Sequence, residues 1–517
     1  MTHDANTWRP VASTQPVRAT GRGAAARITR APEGLGIAGV GRAAQYRRAR
    51  NGLARHADPA LPGWQRFLRN PYLWLTLLLT GLYGWLGYLS YRIIGNNLIL
   101  EMADYAKEHN MPTLEATWPQ VNEAYWSVTK LAFPTLGFFL VFFVLIDRLR
   151  PTSLLMKWLA LGWGATVAVF VSLHVNSWAG DLMRAEGPID PAQGARSAIF
   201  SAPFVEEAAK ATVLFILAIL LRRRMVSVHQ VFTLSGLSAV GFAFSENIVY
   251  YLRVFIWITR VPGEEVRASV DRIVLLRGAV LCFGHPLFTA MTAFGLVVGL
   301  QNRSKLVRVL APVTGYLAAA FGHMLFNGFA SISGDVLPMA VGGWMASLAI
   351  VVLLAFRYIT QTRNIRARLT EMVQLGWLQP TDPMVFSSLF GRWRMAFAGL
   401  LRGPRVFSNT LRLQRIMTEL ANVREAELRG TIDAMAIERE RELILDAGVA
   451  RVWAVDRNAG VRVIPPEWGE KWRAWRRRRR EWRAQRRAAK AGASGAWGAS
   501  AEAPVPTTVG GWPPGGR

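Results

Sequence analysis

Residues 197–221 read SAIFSAPFVEEAAKATVLFILAILL. The run is long enough to cross a bilayer, which takes about 20 residues as a helix. It nevertheless carries Glu206, Glu207 and Lys210. A charged side chain at a bilayer centre costs roughly 2.5–3.5 kcal/mol even on the lenient insertion scale. On a helix, Glu206 and Lys210 are i,i+4 neighbours and Glu207 and Lys210 are i,i+3. The lysine offsets one carboxylate and leaves the other free to hold a water or a metal. The alternative is a salt-bridged cluster that joins helices, but two adjacent carboxylates against one lysine leave an excess of negative charge.

Outward from this stretch, similar apolar runs recur. By the ~20-residue criterion they cover about 72–94, 130–147, 155–175, 197–221, 230–252, 272–300, 307–331 and 337–357. Across 517 residues, 51% are hydrophobic. The pattern predicts an all-α integral membrane protein of about eight transmembrane helices. Charges between the runs alternate. Loop 95–129 is acidic, Arg148, Arg150 and Lys157 follow the second run, and loop 176–196 is mixed. Arg222, Arg223 and Arg224 follow the fourth run, loop 253–271 is mixed again, and Arg303, Lys305 and Arg308 follow the sixth. Basic loops stay in the cytoplasm, so both termini are expected there.

The net charge of +27 is mostly arginine and lies largely in the terminal regions. Residues 1–70 are basic with little hydrophobic periodicity and are expected to be mostly disordered and cytoplasmic. Residues 71–358 form the membrane domain. Residues 359–470 are expected to be a partly helical cytoplasmic region, with helical periodicity at 362–376, 408–428 and 431–446. Residues 471–517 hold Arg476 to Arg480 with Trp472, Trp475 and Trp482 interleaved, then a disordered tail. Arg-rich ends beside a membrane point to anionic lipid as partner, and tryptophan suits the headgroup level. That explanation suffices for the charge, so nucleic acid is set aside. No short apolar run near the start of the chain reads as a signal peptide. Cys282 is the single cysteine, which excludes an intrachain disulfide and a Cys-rich zinc module.

Three further motifs interrupt the apolar runs. Glu246 and Asn247 lie among Gly236, Ser238, Ala239, Gly241, Ala243 and Ser245, small residues that let helices approach closely in lipid. His285 and His323 sit on separate runs, each preceded by glycine. Thr289 and Asn327 follow them by one turn. A lone membrane histidine usually hydrogen-bonds a neighbouring helix, whereas two matched histidines with two glutamate motifs fit a zinc-type site. Thr289 and Asn327 would then orient ligands or substrate. Pro286 is expected to loosen the helix where His285 sits.

As a set, Glu206-Glu207-x-x-Lys210, Phe242-x-x-x-Glu246-Asn247 and the two histidine motifs resemble the PrsW family of intramembrane metalloproteases, related to the CAAX-protease and bacteriocin-processing group. The resemblance spans 204–327 and favours PrsW because Glu246 stands where the CAAX group has histidine. It implies a multi-pass protein of the bacterial cytoplasmic membrane. It further implies metal-dependent cleavage of a single-pass membrane protein, similar to the first cut of an anti-sigma factor. The roles it carries over are Glu206 as general base supported by Glu207 and Lys210, with Glu246, His285 and His323 as ligands of a divalent metal, zinc by its chemistry, and Asn327 at the oxyanion. The depth of these residues in their runs predicts a site opening to the extracytoplasmic half. An ion- or proton-coupled transporter uses the same residue types, and an inactive scaffold with a retained polar core is a third reading.

Overall fold

The computed structural model describes residues 63–184, 196–220, 227–259, 265–428, 435–455 and 477–485, apart from isolated positions within these ranges. The expectations for 1–62 and for most of 456–517 lie outside the described residues. No strand occurs among the described residues. In order, the helices are α1 (Gly63–Leu68), α2 (Pro71–Glu108), α3 (Trp118–Ile146), α4 (Leu154–Gly162), α5 (Val169–Arg184), α6 (Ala202–Leu220), α7 (Val228–Ile258), α8 (Val266–Leu275), α9 (Gly284–Gln301), α10 (Lys305–Ser333), α11 (Val336–Gln374), α12 (Asp382–Ser387), α13 (Leu389–Leu401), α14 (Pro404–Leu428) and α15 (Met435–Trp453). Three π-helical turns, Trp163–Ala168, Ser197–Ser201 and Leu276–Val280, join α4 to α5, precede α6 and follow α8.

Among the described residues, seven helices are long and apolar enough to cross a membrane. They are α2, α3, the α4–α5 unit, α7, the α8–α9 unit, α10 and α11. The remaining expected crossing is α6, which has the length but carries Glu206, Glu207 and Lys210. In lipid every backbone polar group must be satisfied within the chain, which is why apolar runs of this length adopt helix.

α7 is the central element, buried almost continuously from His229 to Ala243. Its small residues allow this. A methyl group on Gly241 would lie 2.2 Å from the carbonyl oxygen of Leu161, and one on Gly164 would lie 1.9 Å from that of Ser238. The α4–α5 unit therefore meets α7 backbone to backbone, the close approach that small residues permit in lipid.

Several connections differ from the expected ones. The acidic segment 95–129 is mostly helix rather than loop. α2 continues to Glu108 because Leu98, Met102 and Ala106, spaced four apart, pack against Val121, Ala124 and Val128 of α3 and Tyr251, Leu252 and Ile256 of α7. Glu101 pairs with Arg253, whose α7 likewise extends to Ile258. The expected last span and the helix expected at 362–376 are one uninterrupted helix, α11. Its distal half carries Ile365, Leu369 and Met372 into the core of a helical bundle with α12–α15. Pro286 does not kink a helix. The chain breaks at Leu281–Phe283, and α9 starts afresh at Gly284. His285 and Pro286 thus occupy its first turn, where a missing N–H costs nothing.

The bundle is fastened to the membrane domain by Arg392, which is buried. It donates to the carbonyl oxygens of Leu149 at 2.8 Å and Gln414 at 2.7 Å, and to the hydroxyl of Thr418. Burial pushes its guanidinium down to about 10, which leaves it protonated at neutral pH. His229 at the start of α7 contacts the carbonyl oxygen of Leu354 and the side chain of Gln361 on α11, both at 3.1 Å. The end of α3, the distal half of α11 and the start of α7 therefore share one side of the protein.

Candidate metal centre

Four helices and one π-helical turn converge on the polar cluster. α6 supplies Glu206, Glu207 and Lys210, and α7 supplies Glu246 and Asn247. Arg277 comes from the turn Leu276–Val280, His285 and Thr289 from α9, and His323 from α10. Glu206, His285 and His323 each offer one ligand atom, and these atoms lie within 4.8 Å of one another. Nε2 of His323 is 4.0 Å from Oε2 of Glu206, too far for a hydrogen bond. That oxygen is buried and makes no hydrogen bond.

Glu207 has the opposite environment. It accepts from Lys210 at 2.6 Å and from the Thr289 hydroxyl at 2.9 Å, and lies 3.2 Å from Nδ1 of His323. Glu207 and Lys210 are fully buried, so the pair is closed against solvent. The contact with Glu207 orients the His323 ring and leaves Nε2 facing Glu206, the kind of support that metal-ligating histidines have. Phe288 stacks on the same ring at 4.9 Å between centroids. Thr289 thus stands one turn from His285 in sequence but supports Glu207.

Lys210 also reaches Nδ1 of His285 at 2.9 Å. With the ammonium donating there, the imidazole proton sits on Nε2, which lies 2.7 Å from Glu246. A cation ligated through Nε2 has to replace that hydrogen bond. The same oxygen of Glu246, Oε2, also accepts from Arg277 at 2.5 Å, and Arg277 donates to Asn247 at 3.1 Å. The Arg277 guanidinium stacks over Tyr250, 3.6 Å from the ring centre.

The grouping differs from the expected one in one member. Glu206, expected as the base, lies among the three converging donors, while Glu246, expected as a ligand, is paired with Arg277 and His285. Asn327, expected at the oxyanion, donates to the carbonyl oxygen of Ala198 at 2.9 Å and ties α10 to the π-helical turn before α6. Arg277 is the residue that the reading of the sequence passed over. Its signal was present: a single arginine within the apolar run Ile273–Leu281, where a charge is costly and functional by default. Cys282 packs beside apolar side chains, with its thiol toward the Ala279 carbonyl, and joins no donor group.

Two imidazoles and a carboxylate, with one position left open, are the ligand set of catalytic zinc sites. The donors here fit a divalent cation on two counts. One is the chemistry of the set. The other is the buried Glu206 oxygen, which has no hydrogen-bond partner. Formal charge agrees: Glu206, Glu207 and Glu246 face only Lys210 and Arg277, leaving one negative charge in excess among the described residues. Searches of curated proteins and of solved structures gave no match. Residues 150–357, which include every residue of this cluster, match the family model described as PrsW family intramembrane metalloprotease.

Proposed function

We propose that the protein is a metal-dependent intramembrane endopeptidase in which Glu206, His285 and His323 hold a divalent cation and Glu246 is the general base. The observation that carries this reading is the convergence of three donors from three helices around a buried carboxylate oxygen with no hydrogen bond. Zinc suits the donor set best. Bound there, the ion supplies Lewis-acid polarisation of a scissile carbonyl and acidifies water. Glu246 accepts a proton from the attacking water and returns it to the leaving amide nitrogen. Arg277 and Asn247 position that carboxylate. Glu207, Lys210 and Thr289 hold the two imidazoles in place. Asn327 has no contact with the reacting carbonyl in this scheme.

A single-pass membrane protein is the substrate class that a site among transmembrane helices can receive, and an anti-sigma factor is one such protein. Access is from the extracytoplasmic half. On the opposite side of the cluster, Val213, Leu214 and Leu217 of α6 pack with Phe232, Leu234 and Leu237 of α7 and Ala293 and Leu296 of α9. This packing also speaks against a transport path through the whole membrane, which the same residue types serve elsewhere. In this topology the distal half of α11 and the bundle are cytoplasmic.

The test is cleavage by the full chain in lipid discs, with a tagged single-pass protein library as substrate. Chelation should stop cleavage, zinc should restore it, and the new termini should map to the extracytoplasmic half of the substrate helix. Cleavage that persists after complete metal removal would refute the metal assignment, and cuts at the cytoplasmic flank would refute the access route.

A further inference from the structure

α13 is apolar on both faces. Arg392, Met395, Ala396, Ala398 and Gly399 are its buried side, turned to α14 and the bundle core. On the other side, Phe390, Trp393, Phe397, Leu400 and Leu401 fall within one ~100°-wide stripe at 3.6 residues per turn. Those five side chains are exposed, from 48% at Trp393 to 72% at Leu401. In water such a stripe would be an aggregation liability, and contiguous apolar exposure marks a contact surface.

The position of the stripe says what covers it. Trp393 lies under the guanidinium of Arg148, 3.7 Å from the ring centre. Arg148 is two residues beyond Ile146, the last residue of the membrane-crossing helix α3. The neighbouring Arg392 is bonded to the carbonyl oxygen of Leu149. α13 therefore lies where a transmembrane helix leaves the bilayer. The next span opens with Leu154, 83% exposed, so the surface beside α13 is already lipid-facing. Charge points the same way. Between 375 and 415 the exposed arginines Arg394, Arg402, Arg405 and Arg415 stand against the single acid Asp382, which is buried in an ion pair with Arg451 at 2.7 Å, while Arg412 pairs with Asp446. Arg394 flanks the stripe and covers Phe390.

From these observations we infer that α13 is an interfacial helix, its Phe390–Leu401 stripe inserted among anionic lipids at the membrane surface beside the α3–α4 turn. An apolar face immersed at the acyl boundary with arginines at headgroup level is how in-plane helices bind membranes. The bundle is thereby anchored to the bilayer as well as to Leu149. The inference rests on the membrane reading of the fold and not on the chemistry of the metal centre.

The test uses the full chain with Cys282→Ser, one copy per lipid disc, and a single environment-sensitive fluorophore on Phe397→Cys or Leu401→Cys. The control is Arg412→Cys, two residues before Gln414 and so on the side of α14 away from α13. Lipids brominated near the headgroup should quench the 397 and 401 labels at least about twofold more than the control, and replacing anionic by neutral lipid should weaken the effect. Equal accessibility of all three labels to aqueous iodide would overturn the inference. So would shielding that appears only when a disc holds two copies, which would make the stripe a contact between chains.

Discussion

Two regions among the described residues handle buried charge in opposite ways. In the helical bundle, Asp382 meets Arg451 at 2.7 Å, and Arg392 is spread over the carbonyl oxygens of Leu149 and Gln414 and the hydroxyl of Thr418. There Asp382 answers Arg451, and Arg392 ends on backbone dipoles and a hydroxyl. In the membrane cluster, Lys210 answers Glu207 and Arg277 answers Glu246, while Glu206 is left with no cation of its own. The bundle's charges fix a fold. The cluster's surplus of one negative charge is what the proposed divalent cation would balance.

The contrast can be broken most severely at Glu246. Glu246→Gln should lower the cleavage rate by about 10²–10⁴-fold, the usual worth of a general base, while the full chain keeps its bound metal. Loss of metal together with activity would return Glu246 to the ligand set. Lys210→Met removes the only cation touching Glu207 and should cost about 3–5 kcal/mol, as breaking a buried pair does. Combining it with Glu207→Gln should recover part of that loss in a thermal-unfolding double-mutant cycle; strictly additive losses would show that the two residues are not a pair.

The same treatment of the bundle should leave the metal alone. Arg392→Ala should destabilise the bundle by about 2–3 kcal/mol, since a charge-assisted network is lost and the Leu149 carbonyl loses the guanidinium that donates to it. Limited proteolysis beyond Gln374 should then accelerate while metal content stays at the wild-type level. A fall in metal content would mean that the two regions are coupled. The smallest effect belongs to Thr289→Val, which removes one of the contacts that hold Glu207. It should cost about 1 kcal/mol and weaken metal binding by about tenfold, as a change to a supporting contact does; unchanged affinity would dismiss Thr289 as a positioning residue.

The membrane helices and the four motifs could be read from the chain because hydropathy over ~20 residues and charge within it are local signals. The division of labour within the cluster could not, because it depends on partners distant in sequence. Glu246 is set by Arg277, thirty-one positions later, and Asn327 is occupied by Ala198, which belongs to another helix approach. The length of α2 and the continuity of α11 were hidden for a related reason. Leu98, Met102 and Ala106, like Ile365 and Leu369, lie among charged residues, and only packing against α3, α7 or the bundle shows that their shared face is buried.

The most direct measurement is the metal content of the full chain in lipid discs, wild type against Glu206→Gln and Glu246→Gln, after equilibration with zinc and removal of the excess. One zinc per chain is expected in the wild type and in Glu246→Gln, and loss of that zinc in Glu206→Gln. Full occupancy in Glu206→Gln, or no zinc in the wild type, would contradict a cation site built on Glu206, His285 and His323.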